Sequence, residues 1–389
     1  MKPKLRFNKF NNEWEEVKLE KLYTFKNGIN GDRSMYGNGI ELISVSDILN
    51  NNYITHDVIK GKINVTDKVL KDNSVEYGDV LFQRSSETFL EIGSSNVYLD
   101  NKIVTYGGFV IRGKKLKDNN NNPMFINYEL KSPSSRKKII LGGAGSQHFN
   151  IGQEDLKKVS IFKPELDEQN QIAKFMTLLD KKIELQSKKI EDLKLFKSYT
   201  KNKLFSNGEQ VVKLKDILIK WNEKNKDGLI DYVESISNKY GFISQSDQFE
   251  DRNVASKDLK NYYVIKRNVF GYNPSRLNVG SLALKENDTI SVVSPLYECF
   301  TTSQNNKFML EWFDSKYFKK GTLSKFEGGV RNTLNFTNLC EIEINLPSLE
   351  MQNKYAKYLY KFDKKIQLEE LRLNKLNEIK KGLMQNMFV

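Results

Sequence analysis

Three stretches and one scattered set of residues in this 389-residue chain carry residue types that could do chemistry. Asn273-Pro274-Ser275-Arg276 begins like the Asn/Asp-Pro-Pro-aromatic stretch that grips an extruded base. It lacks the second proline and the aromatic, so it reads as a loop. Gly142-Gly143-Ala144-Gly145 has the glycines of a phosphate loop without the Lys-Ser or Lys-Thr that must follow. Asp79 and Glu87 offer carboxylates for metal-assisted hydrolysis, but no second acidic residue and lysine complete a compact pattern; Asp79 reads as a turn residue ahead of a strand. His56, His148, Cys299 and Cys340 are the chain's imidazoles and thiols, too few and too scattered for a zinc site or a disulfide framework. The chain is therefore expected to be no enzyme by itself and to bind no metal or cofactor of its own.

Composition points towards binding. Lys and Arg number 62 against 49 Asp and Glu, a formal charge of +13, which attracts a polyanion such as nucleic acid or an anionic membrane surface. Lys and Asn are abundant throughout, as an AT-rich coding sequence would produce, so charge alone does not decide. Hydrophobic residues make up 39% and aromatics 11%, enough for globular domains and outside the range of disordered chains. No apolar run approaches the ~20 residues that span a bilayer, and "MKPKLRFNKFNNEWEEV" lacks the apolar centre of a signal peptide. A cytoplasmic protein is expected.

The elements that must position any site reveal a duplication. Residues 164–205 laid over 347–388 without a gap give 14 identities in 42 pairs, where chance gives about two or three. Ten fall in the first twenty pairs, among them Pro164/Pro347, Gln169/Gln352, Asn170/Asn353, Ala173/Ala356 and Asp180/Asp363. Upstream, "EEVKLEKLYTF" at Glu15 matches "QVVKLKDILIK" at Gln210, and "VEYGDVLFQRSS" at Val75 is echoed by "YVIKRNVFGYNPS" at Tyr263. A Gly pair, a polar loop and a short apolar strand ending in proline precede each copy. Four segments follow: 1–163, 164–206, 207–346 and 347–389, each globular part leading into one long helix.

Within the globular parts, "GIELISVSDI", "GDVLFQRSS" and "NKIVTYGGFVIRG" have the β-branched runs of strands. "PMFINYELKSPSSRKKIIL" and "KFMLEWFDSKYFKKG" look helical, and "KDNNNNP" reads as a solvated turn. In the long helices, steps of three and four place Ile172, Met176, Leu179, Ile183, Ile190, Leu193 and Phe196 on one seam. Tyr355, Leu359, Phe362, Ile366, Leu373, Leu376 and Ile379 line the other, the pattern of a coiled coil. Gln186 and Glu369 break the two seams at one equivalent place. Either they set the register of antiparallel or crossing helices, or they tilt outward. At ~1.5 Å per residue such a helix runs roughly 60 Å, the length of a spacer. A homodimer seam and a docking site for other subunits also fit the periodicity.

The repeated P-x-L-x-x-Q-x-x-[I/Y]-A-K segment, followed by D-K-K-I, resembles the helical regions of the specificity subunit of type I restriction–modification enzymes. The opening "PKLRFNKFNNEWEEVKL", with its R-F-x-x-F and Trp14, is similar to that family's N-terminus. "GDVLFQRSS" and the Gly-Gly loops resemble its target-recognition domains. Met351 stands where the family usually has Glu, and "VIKRNVFGYNPS" lacks the Gly-Asp of the first copy. The resemblance implies an α+β fold: two mixed α/β target-recognition domains separated by two long helices that form an antiparallel coiled coil, with pseudo-two-fold internal duplication. It also implies a non-catalytic subunit whose two domains read the two parts of a split double-stranded DNA sequence. Two methyltransferase subunits would dock on the helical regions and two restriction/translocase (motor-nuclease) subunits would complete the complex. S-adenosylmethionine, ATP and magnesium would then belong to those partners.

Base edges are read by side chains with paired donors and acceptors, whereas Lys and Arg on phosphates add affinity without sequence information. The DNA-reading candidates are Arg84, Ser85 and Ser86 after the GDV strand, with Ser146, Gln147, His148 and Asn150 after the first Gly pair. Their second-half counterparts are Tyr272, Asn273, Ser275 and Arg276, then Arg331, Asn332 and Asn335. Arg136, Lys137, Lys138, Lys319 and Lys320 are phosphate candidates. Partner docking and the coiled coil are assigned to Gln169, Ile172, Met176, Leu179 and Ile183, and to Gln352, Tyr355, Leu359, Phe362 and Ile366. The competing expectation is a coiled-coil adaptor with duplicated protein-binding domains and no DNA role.

Overall fold

The computed structural model describes residues 1–143, 149–238, 240–245, 258–277, 280–323, 325 and 333–389. Two compact units emerge, one formed by Met1–Lys188 with Leu371–Val389, the other by Lys189–Glu370. The division falls inside both long helices, Leu166–Ser206 and Leu349–Asn386. Each unit therefore holds a globular part, the start of the helix that follows it, and the last turns of the other helix.

In the first unit a four-stranded antiparallel sheet runs in the order Tyr23–Asn27, Val110–Lys115, Val80–Gln83, Ser95–Val97. In the second, Leu218–Lys220, Glu298–Thr302, Phe270–Tyr272 and Leu282–Leu284 repeat that order, again all antiparallel. Each unit also closes with an antiparallel pair: Glu15–Lys18 with Ser160–Lys163, and Gln210–Lys213 with Glu343–Leu346. The second member of each pair leads through a proline into the long helix. The faint upstream echo in the sequence is thus a shared sheet. The first unit adds a three-stranded sheet of Gly61–Ile63, Tyr36–Ile43 and Thr105–Tyr106. The second has instead the hairpin Glu234–Ser237/Gly241–Ser244 and the pair Tyr263–Ile265/Ser291–Val293.

Both helical stretches read from the sequence are pairs of helices. Pro123–Lys131 is followed by Pro133–Gly142, and Asn306–Phe313 by Lys316–Leu323. Asn122 and Asn305 cap the first helix of each pair, accepting from Phe125 N at 3.0 Å and Phe308 N at 2.9 Å. An N-cap asparagine satisfies an amide that would otherwise lack a partner, worth about 1 kcal/mol. Asn122 and Asn305 are 183 residues apart, the offset of the long helices.

That offset explains why the long helices kept their polar identities. Gln169 is buried, and its Nε2 donates to Pro164 O and Asn121 Oδ1, both at 2.8 Å. Its Oε1 accepts from Asn122 N at 3.0 Å, and Asn122 Nδ2 donates to Asn170 Oδ1 at 2.8 Å. In the second unit Gln352 donates to Pro347 O and Gln304 Oε1, both at 2.9 Å, and accepts from Asn305 N at 3.1 Å. Asn305 Nδ2 then reaches Asn353 Oδ1 at 2.6 Å. The latch fastens each helix to the cap of its own domain. "KDNNNNP" is therefore no solvated turn: Asn119 is buried and donates to Leu22 O, while Asn121 and Asn122 hold the latch.

The helix ends cross over. Phe388 packs on Phe125 at 5.9 Å between ring centroids, inside the first core. Phe205, its equivalent in the first helix, packs on Phe308 at 5.3 Å inside the second. The helices run antiparallel, as the ion pairs show: Lys189 to Glu369 and Lys197 to Asp363 in the second unit, Lys380 to Asp180 in the first.

The apolar seam is divided between two tasks. Ile172 and Met176 are buried in the first core, and Leu359, with Tyr355 half-buried beside it, in the second; these turns grip a domain instead of another helix. Ile190 and Ile366 are buried further along, with Leu179, Ile183, Leu193, Phe362, Leu373 and Leu376 half-buried. Phe196 and Ile379, placed on the seam by spacing, are exposed, although Phe196 keeps an edge contact with Phe362 at 5.6 Å. Glu369 is buried and held by Lys189 at 2.8 Å, which sets aside an outward tilt for it.

Candidate nucleic-acid interface

Two sequence-predicted groups of the first unit come together. Ser85–Ser86 pairs antiparallel with Phe149–Asn150, Asn150 opposite Ser85, and Ser85 Oγ donates to Asn150 Oδ1 at 2.6 Å. Ile151 N donates to Arg84 O at 3.0 Å, and Arg84 N donates to Phe109 O at 2.8 Å. The Arg84 backbone is thereby fixed on both sides and its half-buried side chain borders a cleft of about 590 Å³ shared with Asn27 and Asn150. Ser85 and Asn150 reach the surface. Ser86 does not: it is buried and its hydroxyl accepts from Thr88 N at 3.1 Å, which shapes the loop. Ser146, Gln147 and His148 lie outside the described residues.

The second unit repeats the joint. Leu334 N donates to Pro274 O at 3.1 Å, and Leu334 is the equivalent of Ile151. Asn273 Oδ1 accepts from Ser275 N at 3.0 Å, and Arg276 N donates to Asn273 O at 3.0 Å, a side-chain-closed turn of the kind asparagine favours. The turn presents Ser275 and Arg276 to solvent. Tyr272 is a correction: it is fully buried in the sheet, edge-on to Phe300 at 6.2 Å, so it cannot stack on a base. Asn335 caps the helix Phe336–Cys340, accepting from Asn338 N at 2.8 Å. Arg331 and Asn332 lie outside the described residues.

The phosphate candidates scatter. Lys137 and Lys320 are exposed, whereas Lys138 donates to Ser160 O at 3.0 Å and Lys319 pairs with Asp314 at 3.1 Å. Arg136 Nη2 holds Leu90 O and Ile92 O at 2.9 and 2.8 Å. Asp79 is the turn residue the sequence suggests, accepting from Glu76 N and Lys115 N at 3.0 and 2.8 Å; burial pushes its carboxyl up to about 6. Among the described residues no group of His, Cys, Asp and Glu is placed to hold a metal ion, and no helix is long and apolar enough to cross a membrane.

Sequence reasoning missed the latch partners Asn121, Asn122, Gln304 and Asn305. It also missed Arg6, whose guanidinium forks onto the buried Glu168 at 2.7 and 2.6 Å beside the Phe7–Phe175 ring contact. The signal was available: extending the 183-residue offset upstream of Pro164 pairs Asn122 with Asn305 and Phe125 with Phe308.

Two mixed domains that share a four-stranded sheet, a closing strand pair and a capped pair of helices, each latched to a long helix, make this a duplicated two-domain chain. The chain belongs to the family described as type I restriction modification DNA specificity domain, which it matches over residues 11–195 and again over 207–378. It is similar to the MjaVIII type I restriction enzyme specificity subunit of Methanocaldococcus jannaschii, 22% identical over 415 aligned positions covering 96% of this chain and 91% of that protein. The putative MjaX specificity subunit of the same organism is 26% identical over 175 residues, 43% of this chain and 41% of that protein. The fold is that of the type I restriction–modification S subunit from M. genitalium, with a TM-score of 0.55 at 17% identity over 100% of this chain and 99% of that one. A second chain, from a study of assembly and conformational transition in the type I R-M system, gives 0.59 at 13% identity over 96% and 97%.

Proposed function

We propose that this chain reads a bipartite double-stranded DNA target for a type I restriction–modification complex, each unit contacting one part. The observation that carries the reading is the contrast between scaffold and loops. The latch recurs bond for bond under one 183-residue offset, whereas the loop of Arg84, Ser85 and Asn150 has as its counterpart in the second unit a turn that presents Ser275 and Arg276. Selection for two different half-sites on one frame leaves that pattern. Paired donors and acceptors on these loops suit base edges, and the charge of +13 suits the phosphates. Ser146, Gln147, His148, Arg331 and Asn332 belong to the same proposal by their place in the sequence.

The helices offer two like faces for two like partners. Leu166/Leu349, Phe175/Tyr358 and Leu185/Leu368 are exposed apolar side chains at equivalent positions. Methyltransferase subunits carrying S-adenosylmethionine would dock there, with ATP- and magnesium-dependent restriction subunits joining them. Catalysis would reside in those partners, and the length of the helical regions would set the unread interval. Mixing the chain with its methyltransferase partner, DNA and methyl donor tests this. Site-specific adenine methylation and DNA affinity that falls steeply with salt are expected; a protein adaptor would show no methylation and little salt dependence.

A further inference from the structure

The duplication supplies an internal reference for every side chain, and at one place the two units differ in charge balance. In the second unit Lys197 meets Glu311 at 2.6 Å and Asp363 at 2.7 Å. Lys201 meets Asp314 at 2.5 Å and Lys319 meets it at 3.1 Å, so three cations face three carboxylates. The equivalents of Glu311, Asp314 and Lys319 in the first unit are Tyr128, Lys131 and Arg136. Here Asp180 is the one carboxylate bordering the cleft, and it is already engaged by Tyr128 Oη at 2.7 Å and Lys380 at 2.6 Å. Three cations against one carboxylate leave two positive charges uncompensated.

These groups line a cleft of about 450 Å³ wholly within the first unit. Lys131 Nζ donates to Asn52 O at 3.0 Å and Asn96 Oδ1 at 3.3 Å and forms no ion pair among the described residues. Ser95, buried and lining the same cleft, has a hydroxyl with no hydrogen-bond partner there, and Arg136 Nη1 has none either. A buried donor without a partner is destabilising, and a charged donor left unpaired more so.

We propose that this cleft binds a phosphate-type oxyanion, held by Lys131, Arg136 and Lys380 with Ser95 as a neutral donor. Two uncompensated charges match a dianion, and the ligand supplies the negative charge that Glu311 and Asp314 supply in the second unit. Burial, then the neighbouring Lys380, pushes the Lys131 amine down to about 8, as expected of a cation that lacks a counter-ion. The inference does not depend on which DNA sequence is read.

The test is titration of the purified full chain with inorganic phosphate at constant ionic strength set by chloride, followed by calorimetry and by melting temperature. Saturable binding and a rise in melting temperature are expected. Lys131→Asp, which installs the second unit's residue, should weaken binding by about tenfold or more, the loss of one charge-assisted partner. Arg136→Gln should weaken it independently, should the first variant fold poorly. Identical melting of the wild type in phosphate and chloride, or unchanged binding by both variants, would overturn the proposal. Repeating the titration on chain saturated with a short DNA duplex separates the sources: loss of phosphate binding identifies a backbone phosphate as occupant, and persistence identifies a free oxyanion.

Discussion

Glu129 and Trp312 stand at the same position of the two units, and their surroundings have diverged together. Glu129 is fully buried and accepts from Ser135 Oγ at 2.9 Å; Trp312, 2% exposed, packs on Phe318 at 5.3 Å, and Phe318 is the equivalent of Ser135. One unit fills the joint between its paired helices with a hydrogen-bonded carboxyl, the other with two aromatic rings. The latch, whose cap lies about two turns away, is unchanged in both. What holds a helix to a domain is under tight geometric constraint, since every donor must keep its acceptor. What fills a cavity only has to be satisfied, and polar or apolar solutions serve equally.

The largest effect expected from breaking this comparison is in the aromatic joint. Trp312→Ala should destabilise the second unit by about 3–5 kcal/mol, seen in denaturant unfolding as an early transition that leaves the first unit folded.

The carboxyl joint should respond to pH instead. Burial raises the Glu129 carboxyl from 4.5 to about 7, so between those values the folded state holds a proton that the unfolded state has released. The contribution of Glu129 to the first unit's stability should therefore be greatest below about pH 4.5, fall as pH rises to about 7 and level off above it, by about 3 kcal/mol in all. Glu129→Gln should remove that contribution, leaving the fall up to about pH 6 that the raised Asp79 carboxyl gives. An unchanged pH profile would show that Glu129 ionises freely. Trp14, buried in the first core, reports the first unit by fluorescence once Trp221 and Trp312 are replaced.

The latch should give the smallest effect and the most equal. Gln169→Ala and Gln352→Ala each orphan the amide of the domain's cap and should each cost about 1–3 kcal/mol. Being in separate units, each should shift its own unit's transition and leave the other's in place. A clear inequality would mean that one latch is reinforced by a neighbour the other lacks, such as the Arg6–Glu168 pair.

How far the sequence carried depended on what each residue was doing. The long helices were legible because identities such as Gln169/Gln352 and Ala173/Ala356 are enforced by packing and hydrogen bonding at fixed spacing. The shared sheet was legible only as an echo, because a strand needs an apolar alternation and tolerates most residues that supply it. Asn122 was hidden in a run of asparagines, where composition suggests solvent and only three-dimensional placement reveals a cap. Tyr272 misled because an aromatic beside a polar turn looks equally like a stacking platform and a sheet interior. Ser85 and Asn150 were identified as separate candidates; that they face each other across a ribbon is a matter of strand register, which spacing of more than sixty residues does not encode.

The central claim, that two like units read two unlike sequences, is tested most directly by mapping modified adenines genome-wide in cells expressing the wild-type chain, Arg84→Ala or Arg276→Ala. The account predicts that Arg84→Ala relaxes one part of the target and Arg276→Ala the other, with the interval between them constant. Loss or change of both parts together by either substitution, or no change in either, would contradict it.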